Sequence, residues 1–195
     1  MLSYKESLKI LKDTEALLEG HFILSSGLHS DQYVQCAKLL SYPKKSEIIC
    51  TSLTEKIKNN FNKIDIVLSP AIGGIVVGYE IGRQLNVQTI FAERFEGQLI
   101  LRRGFSIPKG SKVLIVEDVI TTGKSVLECF QLVQKHQANL IGYACIIDRS
   151  DNKVLIKDKI ISQIKFNMLT FKENELPDKL KDIPAIKPGS RNIPK

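Results

Sequence analysis

The chain has 195 residues, 43% hydrophobic and 25% charged, with no break in composition. That describes one globular domain with a core of useful size, and it excludes a disordered chain or a disulfide-stapled miniprotein. The net charge is +7, but the 22 Lys and 6 Arg are scattered and no run of five basic residues occurs, so charge argues for neither nucleic acid nor a membrane surface as partner.

The N-terminal stretch is charged and amphipathic, without the apolar core of a signal peptide. Leu8, Leu11, Leu17 and Leu18 recur at roughly helical spacing, which predicts a helix over Tyr4 to Leu18 that ends near Gly20. HFILSSGLHSDQYVQ (21–35) alternates and turns at Gly27, as a hairpin does. Pro43 opens a second helix that runs to about Asn60. From there strands and helices alternate. The expected strands are 64–69, 87–92, 112–118 and 140–148; the expected helices are 73–85 and 123–136. Residues 96–105 (EGQLILRRGF) interrupt this order and read as a mobile hairpin over a site. IKFNMLTF (164–171) is expected to form one more strand.

Strands that are apolar throughout and alternate with helices form a parallel sheet covered on both faces. The expected fold is α/β: a doubly wound parallel sheet over about 60–150, with a small hood from 1–42 and 151–195, all in one domain 1–195. Ligands in such sheets bind beyond the carboxyl ends of the strands. The longest apolar runs are too short to span a bilayer. Cys36, Cys50, Cys129 and Cys145 form no CxxC and lie at no metal-ligand spacing from a His, so they read as buried thiols in a reducing cytoplasm.

The chemistry is concentrated in KVLIVEDVITTGKS, residues 112–125. A strand ends in Glu117 and Asp118. Thr121, Thr122 and Gly123 make a turn, and Lys124 and Ser125 open a helix. Hydroxyls and free backbone N–H groups at a helix N-terminus cradle a phosphate. Carboxylates repel phosphate and accept hydrogen bonds, so the acid pair suits hydroxyls or a metal ion. The two halves together describe a ribose 5-phosphate. A Walker A loop fails because its first glycine would fall on Asp118, and Gly73, Gly74 and Gly78 do not have dinucleotide-fingerprint spacing. A helix cap by Thr121 or Thr122 alone would not call for two acids and three hydroxyls in nine residues.

VLIVEDVITTGKS resembles the phosphoribosyl pyrophosphate (PRPP) signature of the type I phosphoribosyltransferases. The wider sequence is similar to the orotate branch of that family, in FILSSGLHSDQYVQ (22–35), SPAIGGIVVG (69–78), FAER (91–94), LRRGF (101–105), IDR (147–149) and KPGSR (187–191). The resemblance implies that Glu117 and Asp118 hold the ribose 2- and 3-hydroxyls. Thr121, Thr122, Gly123, Lys124 and Ser125 hold the 5-phosphate, and Ser69 to Gly74 lie along the pyrophosphate. The implied PRPP-binding set is therefore Arg94 with Glu117, Asp118, Val119, Ile120, Thr121, Thr122, Gly123, Lys124 and Ser125. Arg94 and Asp118 carry the catalytic roles, and Thr121 and Arg149 face orotate. Arg149 follows an apolar strand at the ligand edge, where a guanidinium fork suits a planar carboxylate; read from the residues alone, a salt bridge with Asp148 or Asp151 competes. Tyr33 either packs over the orotate ring or is a core aromatic. His29 reads as an exposed turn residue, and His136 as a helix C-terminal one.

The chain departs from the family pattern at three places. Ser25 and Gly73 stand where many relatives carry Lys. The hairpin is short, with Arg94, Arg102 and Arg103 as its only cations. Arg94 is the first choice to stabilise the leaving pyrophosphate, with Arg102 or Arg103 second or simply solvated. The resemblance further implies magnesium held through substrate and water without a protein cage, PRPP and orotate as substrates in pyrimidine nucleotide synthesis, and a homodimer. Two other readings compete. One is a purine-base phosphoribosyltransferase, for which Arg149 would have no carboxylate to clamp. The other is a PRPP-sensing regulator, which would need a DNA-binding module, and a first helix at residue 4 leaves no room for one.

Overall fold

The computed structural model describes residues 1–24, 26–150, 156 and 158–188. Ser25, Asp151 and the end of the KPGSR motif lie outside the described residues. Helix α1 (Tyr4–Asp13) starts on a capping box in which Ser3 and Glu6 satisfy each other's backbone N–H. It is shorter than the leucine spacing predicts. The Thr14 hydroxyl donates to the carbonyls of Ile10 and Leu11, and Glu15 takes a left-handed φ of 56°. The chain then turns, and Leu17 and Leu18 belong to strand β1 (Leu17–Ile23). β1 pairs antiparallel with β2 (His29–Val34), giving the expected hairpin. A short helix α2 (Cys36–Leu40), which the sequence reading left out, precedes α3 (Pro43–Lys58).

The α/β core then follows. β3 (Ile66–Pro70), α4 (Gly73–Leu85), β4 (Gln88–Phe95), β5 (Gln98–Leu101), β6 (Lys112–Ile120), α5 (Lys124–Lys135), β7 (Asn139–Asp148) and β8 (Ile160–Lys165) come in that order. The sheet order is β5-β4-β3-β6-β7-β8, parallel except for the edge strand β5. Winding therefore reverses between β3 and β6. In open α/β sheets this switch point is where the crevice for a ligand opens.

Period-two alternation sorts the core into two layers. Val67, Leu114, Val116, Ala144 and Ile146 pack with Val77 and Ile81 of α4 and with Ile49, Leu53 and Ile57 of α3. Leu68, Ile115, Tyr143 and Cys145 pack with Val126, Cys129 and Val133 of α5 on the other face. α4 lies unusually close to the sheet. A Cβ at Gly78 would stand 2.0 Å from Ser69 Oγ, and one at Gly82 would stand 1.8 Å from Thr89 Oγ1. Ser69 is thereby fully buried under α4, behind the turn it introduces.

The core extends past the expected 60–150 to include β8. The strand expected over 164–171 is displaced: β8 ends at Lys165, and the apolar residues beyond it serve the core and the hood. The Phe166 N–H still donates to the Asp148 carbonyl of β7 (3.2 Å), Phe166 and Met168 pack onto the core, and Phe171 bridges to His29. The hood is drawn from both ends of the sequence. Phe171 pairs outside β2, and Ile186 pairs outside β1, exchanging hydrogen bonds of 2.8 Å with His21 and Ile23. Helix α6 (Asp178–Lys181) is tied to β2 by the Lys179–Asp31 ion pair. His29 is not an exposed turn residue. It is buried, and its Nδ1 meets His21 Nε2 at 2.7 Å, while His21 Nδ1 lies 2.8 Å from the Ile183 carbonyl. No helix among the described residues is long and apolar enough to cross a membrane, and all four cysteines are free and buried.

Candidate active site

The acid pair lies near the carboxyl end of β6, at the switch point, and the strand runs on past the expected Asp118 to Ile120. The backbone N–H of Val119 donates to Asp118 Oδ1 (2.8 Å), and that of Asp118 donates to Glu117 Oε1 (3.2 Å). Two glycines open the space for these carboxylates. A Cβ at Gly73 would lie 2.8 Å from Asp118 Oδ1, and one at Gly74 would lie 3.1 Å from Glu117 Oε1. This is the physical counterpart of the departure at residue 73: the first turn of α4 lies against Asp118, and a side chain there would press on its carboxylate.

No basic side chain bonds to either acid among the described residues. Glu117 is only 8% exposed. Burial, then the neighbouring Asp118 charge, push its pKa up to about 9. Burial also raises Asp118, against the hydrogen bonds it accepts. A carboxyl whose folded pKa lies above its unfolded one favours folding fully below the unfolded value. That contribution is lost as pH rises toward the folded one. We therefore expect Glu117→Gln to melt with the wild type near pH 3.5, below the ordinary carboxyl pKa, and above it at pH 9. Relief of about 1–2 kcal/mol would raise Tm by roughly 3–6 °C in a chain of this size. Thermal melts at the two pH values check this; a gap independent of pH would contradict it.

Next to the acids the chain forms the cradle. Thr121 and Thr122 are exposed in the turn, and Gly123 takes φ 77°, a conformation that excludes most side chains. Gly123 is the N-cap of α5 and has no side chain to cap with; the Lys124 N–H makes a long bond to Thr122 Oγ1 (3.4 Å), and the N–H groups of Ser125 and Val126 stay open to a ligand among the described residues. Together with Lys124 and Ser125 the turn encloses a pocket of about 60 Å³. Val119 and Ile120 reach it mainly through backbone: the Ile120 side chain is fully buried in the core, and Val119 packs beside the α4-side core.

A larger groove of about 620 Å³ adjoins the cradle, between the end of β6 and the hood. Its walls include Tyr33, Cys36, Asp118, Thr121, Arg149 and Thr170. Arg149 follows β7, and its backbone N–H donates to the Ile120 carbonyl (2.8 Å). Among the described residues its Nε is buried without a hydrogen-bond partner, and burial lowers its pKa. The competing ion pair with Asp148 does not form, because Asp148 accepts from the Ser150 N–H (2.8 Å) and pairs with Lys165 (3.3 Å). The competing Asp151 lies outside the described residues. Tyr33 is half-buried and lines the groove, with its ring tilted against Phe22 at 5.7 Å, so it is not a core aromatic.

The hairpin carries the three candidate arginines, Arg94, Arg102 and Arg103. Its turn is Glu96-Gly97, with φ 48° and 83°, as a tight two-residue hairpin requires. Ala92 is the last β4 residue paired with β3, so Arg94 stands two residues beyond that pairing, where β4 is paired only with β5. Its guanidinium is engaged in the structure. Nη1 donates to the Gly97 carbonyl (2.6 Å) and Nη2 to Glu128 Oε2 (2.8 Å). Arg102 and Arg103 are not alternating strand residues, because β5 ends at Leu101. Arg103 is in a left-handed turn, bonds Glu93 through two nitrogens and lies over Phe91; Arg102 lies over the Phe95 ring. His136, at the end of α5, places Nδ1 2.9 Å from the Leu132 carbonyl.

The sequence reading missed Thr170, Leu28 and Cys36 as groove walls, and Glu128 as the partner of Arg94. Helical spacing from Lys124 could have flagged Glu128. Nothing local to residue 170 marks it.

Comparison with known proteins agrees with this geometry. Residues 40–175 match the phosphoribosyl transferase domain. The orotate phosphoribosyltransferase of Caldicellulosiruptor saccharolyticus is 47% identical over 186 residues, covering 95% of this chain and 96% of its own. That of Chlorobaculum parvum is 46% identical over 191 residues, covering 98% of each. Among solved structures, orotate phosphoribosyltransferase from Aeropyrum pernix superposes with a TM-score of 0.68 at 22% identity, over 81% of this chain and 92% of that one, which shows a shared fold. Adenine phosphoribosyltransferase from Saccharomyces cerevisiae gives 0.65 at 17% identity, over 80% and 99%, so the fold alone does not select the base. Matched over most of its length by the domain and nearly end to end by these relatives, the chain belongs to the phosphoribosyl transferase domain family, within its orotate phosphoribosyltransferases.

Proposed function

We propose that the protein transfers the 5-phosphoribosyl group of PRPP to orotate, giving orotidine 5-phosphate and pyrophosphate. One observation carries the choice of base: the buried, unpartnered Nε of Arg149 in the groove beside the cradle. A buried donor without a partner is costly, and a ligand carboxylate removes that cost. A purine offers no such group.

The residues divide the work. Thr121, Thr122, Gly123, Lys124 and Ser125 hold the 5-phosphate at the start of α5. Glu117 and Asp118 take the two ribose hydroxyls. A pair that holds one proton presents both a donor and acceptors, which suits a diol. The C1–O bond to pyrophosphate breaks, positive charge develops on the ring, and C1 bonds to N1 of orotate with loss of the N1 proton. Asp118 faces that charge. Arg94 faces the leaving group, Thr121 contacts both substrates, and Arg149 aims the base. No covalent intermediate is needed: the task is positioning and charge stabilisation.

The acids lack a cation partner among the described residues, and the groove is open, so the site fits a magnesium ion that arrives on the substrate and keeps several waters. Magnesium bound to pyrophosphate would neutralise part of the leaving charge. We assign a homodimer as well. Ile72, Val76 and Tyr79 form an exposed apolar stripe on α4 at i, i+4 and i+7, beside the pyrophosphate turn, of the kind a second subunit covers. The free thiols suit a cytoplasmic enzyme.

The test is a panel of bases with PRPP and magnesium. Orotate is expected to exceed adenine, guanine, xanthine and uracil by at least about a hundredfold in kcat/KM, the discrimination one charged contact gives. Removing magnesium should abolish turnover. Preference for any of the other bases would overturn the reading.

A further inference from the structure

We infer that Glu128 is a positioning residue for the pyrophosphate subsite: it holds the Arg94 guanidinium in a neutral pair on α5, and pyrophosphate must draw Arg94 away from it. The inference rests on the proposed role of Arg94.

Three observations carry it. Arg94 is not a free cation waiting at the sheet edge: two of its nitrogens are committed, to Glu128 and to the Gly97 carbonyl. Glu128 is 20% exposed and Arg94 43%, so the pair is in contact with water and can exchange partners without unfolding anything. Glu128 also stands one turn beyond Lys124, on the helix whose N-terminus forms the cradle. The pair thus links the edge hairpin to the phosphate-bearing helix. Arg103 is handled in the same way, by Glu93.

The physical consequence follows from charge. A single carboxylate neutralises Arg94, whereas pyrophosphate carries several negative charges and offers a forked set of oxygens that matches a guanidinium. Pyrophosphate therefore wins the exchange, but its apparent affinity is reduced by whatever the Glu128 pair was worth. Exposed pairs are worth little, so the reduction is about threefold to fivefold. When pyrophosphate departs, Glu128 recaptures Arg94, which favours product release.

The experiment is equilibrium binding of inorganic pyrophosphate with magnesium, which needs no base, to four proteins: wild type, Glu128→Gln, Arg94→Ala and the double variant. Glu128→Gln keeps the shape and removes the charge. It should tighten binding about threefold to fivefold. Arg94→Ala should weaken binding, and adding Glu128→Gln to it should change nothing further. A general field effect of deleting one negative charge would persist without Arg94, and a merely structural role would weaken binding in both backgrounds. Unchanged or weaker binding by Glu128→Gln, or the same gain without Arg94, overturns the inference. A wild type that binds pyrophosphate yet fails to use orotate would sink the orotate reading and leave this one standing. Absence of pyrophosphate binding would overturn both.

Discussion

Asp118→Asn should lower orotidine 5-phosphate formation by at least about a hundredfold while the protein stays folded. The side chain lies two residues before the end of β6, at the switch point, with Oδ1 fixed by the Val119 N–H and the groove in front of it. Asparagine keeps that shape, and its carbonyl oxygen can keep that hydrogen bond. What it loses is a negative charge aimed where positive charge develops on the ribose ring. Deleting one preorganised electrostatic contact of this kind costs about 2.7–4 kcal/mol, or a hundredfold to a thousandfold in turnover. Because the charge acts on the transition state, kcat should fall more than KM for PRPP rises. The fold has no reason to suffer: burial already makes the Asp118 charge unfavourable, so the variant should melt at or above the wild-type temperature at neutral pH. Steady-state kinetics and a thermal melt on one preparation decide the point. Wild-type kinetics in a folded variant would remove Asp118 from the chemistry.

Arg149→Met should raise KM for orotate by about a hundredfold, leave KM for PRPP within a few-fold, and cost no stability. The first expectation follows from losing a charge-assisted fork that costs about 3 kcal/mol to remove from a partly buried site. The second follows from position: Arg149 is anchored after β7, across the groove from the cradle, and bonds Ile120 only through its backbone, which the substitution preserves. The third separates a ligand-binding arginine from a structural one. A buried arginine in an ion pair leaves an orphaned acid when it is removed. Here Asp148 is already satisfied by Ser150 and Lys165, and the substitution deletes a donor without a partner. Arg149→Lys should rescue poorly, because an ammonium cannot reproduce the planar fork. A large drop in Tm with orotate KM unchanged would make Arg149 a structural residue.

The parts of this molecule that were legible in the sequence are those where local chemistry and global position coincide. The bounds of α4 were read from Gly73 to Leu85, as observed, because Gly73 starts the helix and Asn86 ends it in a left-handed conformation that few residues accept. The acid pair and the hydroxyl turn were legible because a run of apolar residues must be a buried strand, and whatever follows it must lie at the ligand edge. Where apolar residues serve a contact other than the nearest pairing, the reading slipped. Leu17 and Leu18 kept a helical beat with Leu8 and Leu11 but belong to β1. Phe166 and Met168 alternate like a strand but pack as loop onto the core. The histidines failed for a different reason. Nothing within a few residues of His29 announces that His21 and the Ile183 carbonyl will bury it. The same holds for Arg94, whose local setting reads as an exposed cation and whose partner lies on another helix.

The hood folds on a timescale of its own. Its outer pairings, Phe22 with Ile186 and His29 with Phe171, join points separated by most of the chain. Closing so long a loop carries a large entropic cost before any contact repays it. The neighbouring strands of the core face much shorter closures and bury more apolar surface per residue. Folding should therefore complete the sheet first and stitch the hood last, and the hood should open most readily in the native state. One wall of the orotate groove is thus built from the least persistent part of the protein. The base can enter and the nucleotide can leave through brief openings there, while the cradle and the acid pair are held on β6 and α5 of the core sheet layer.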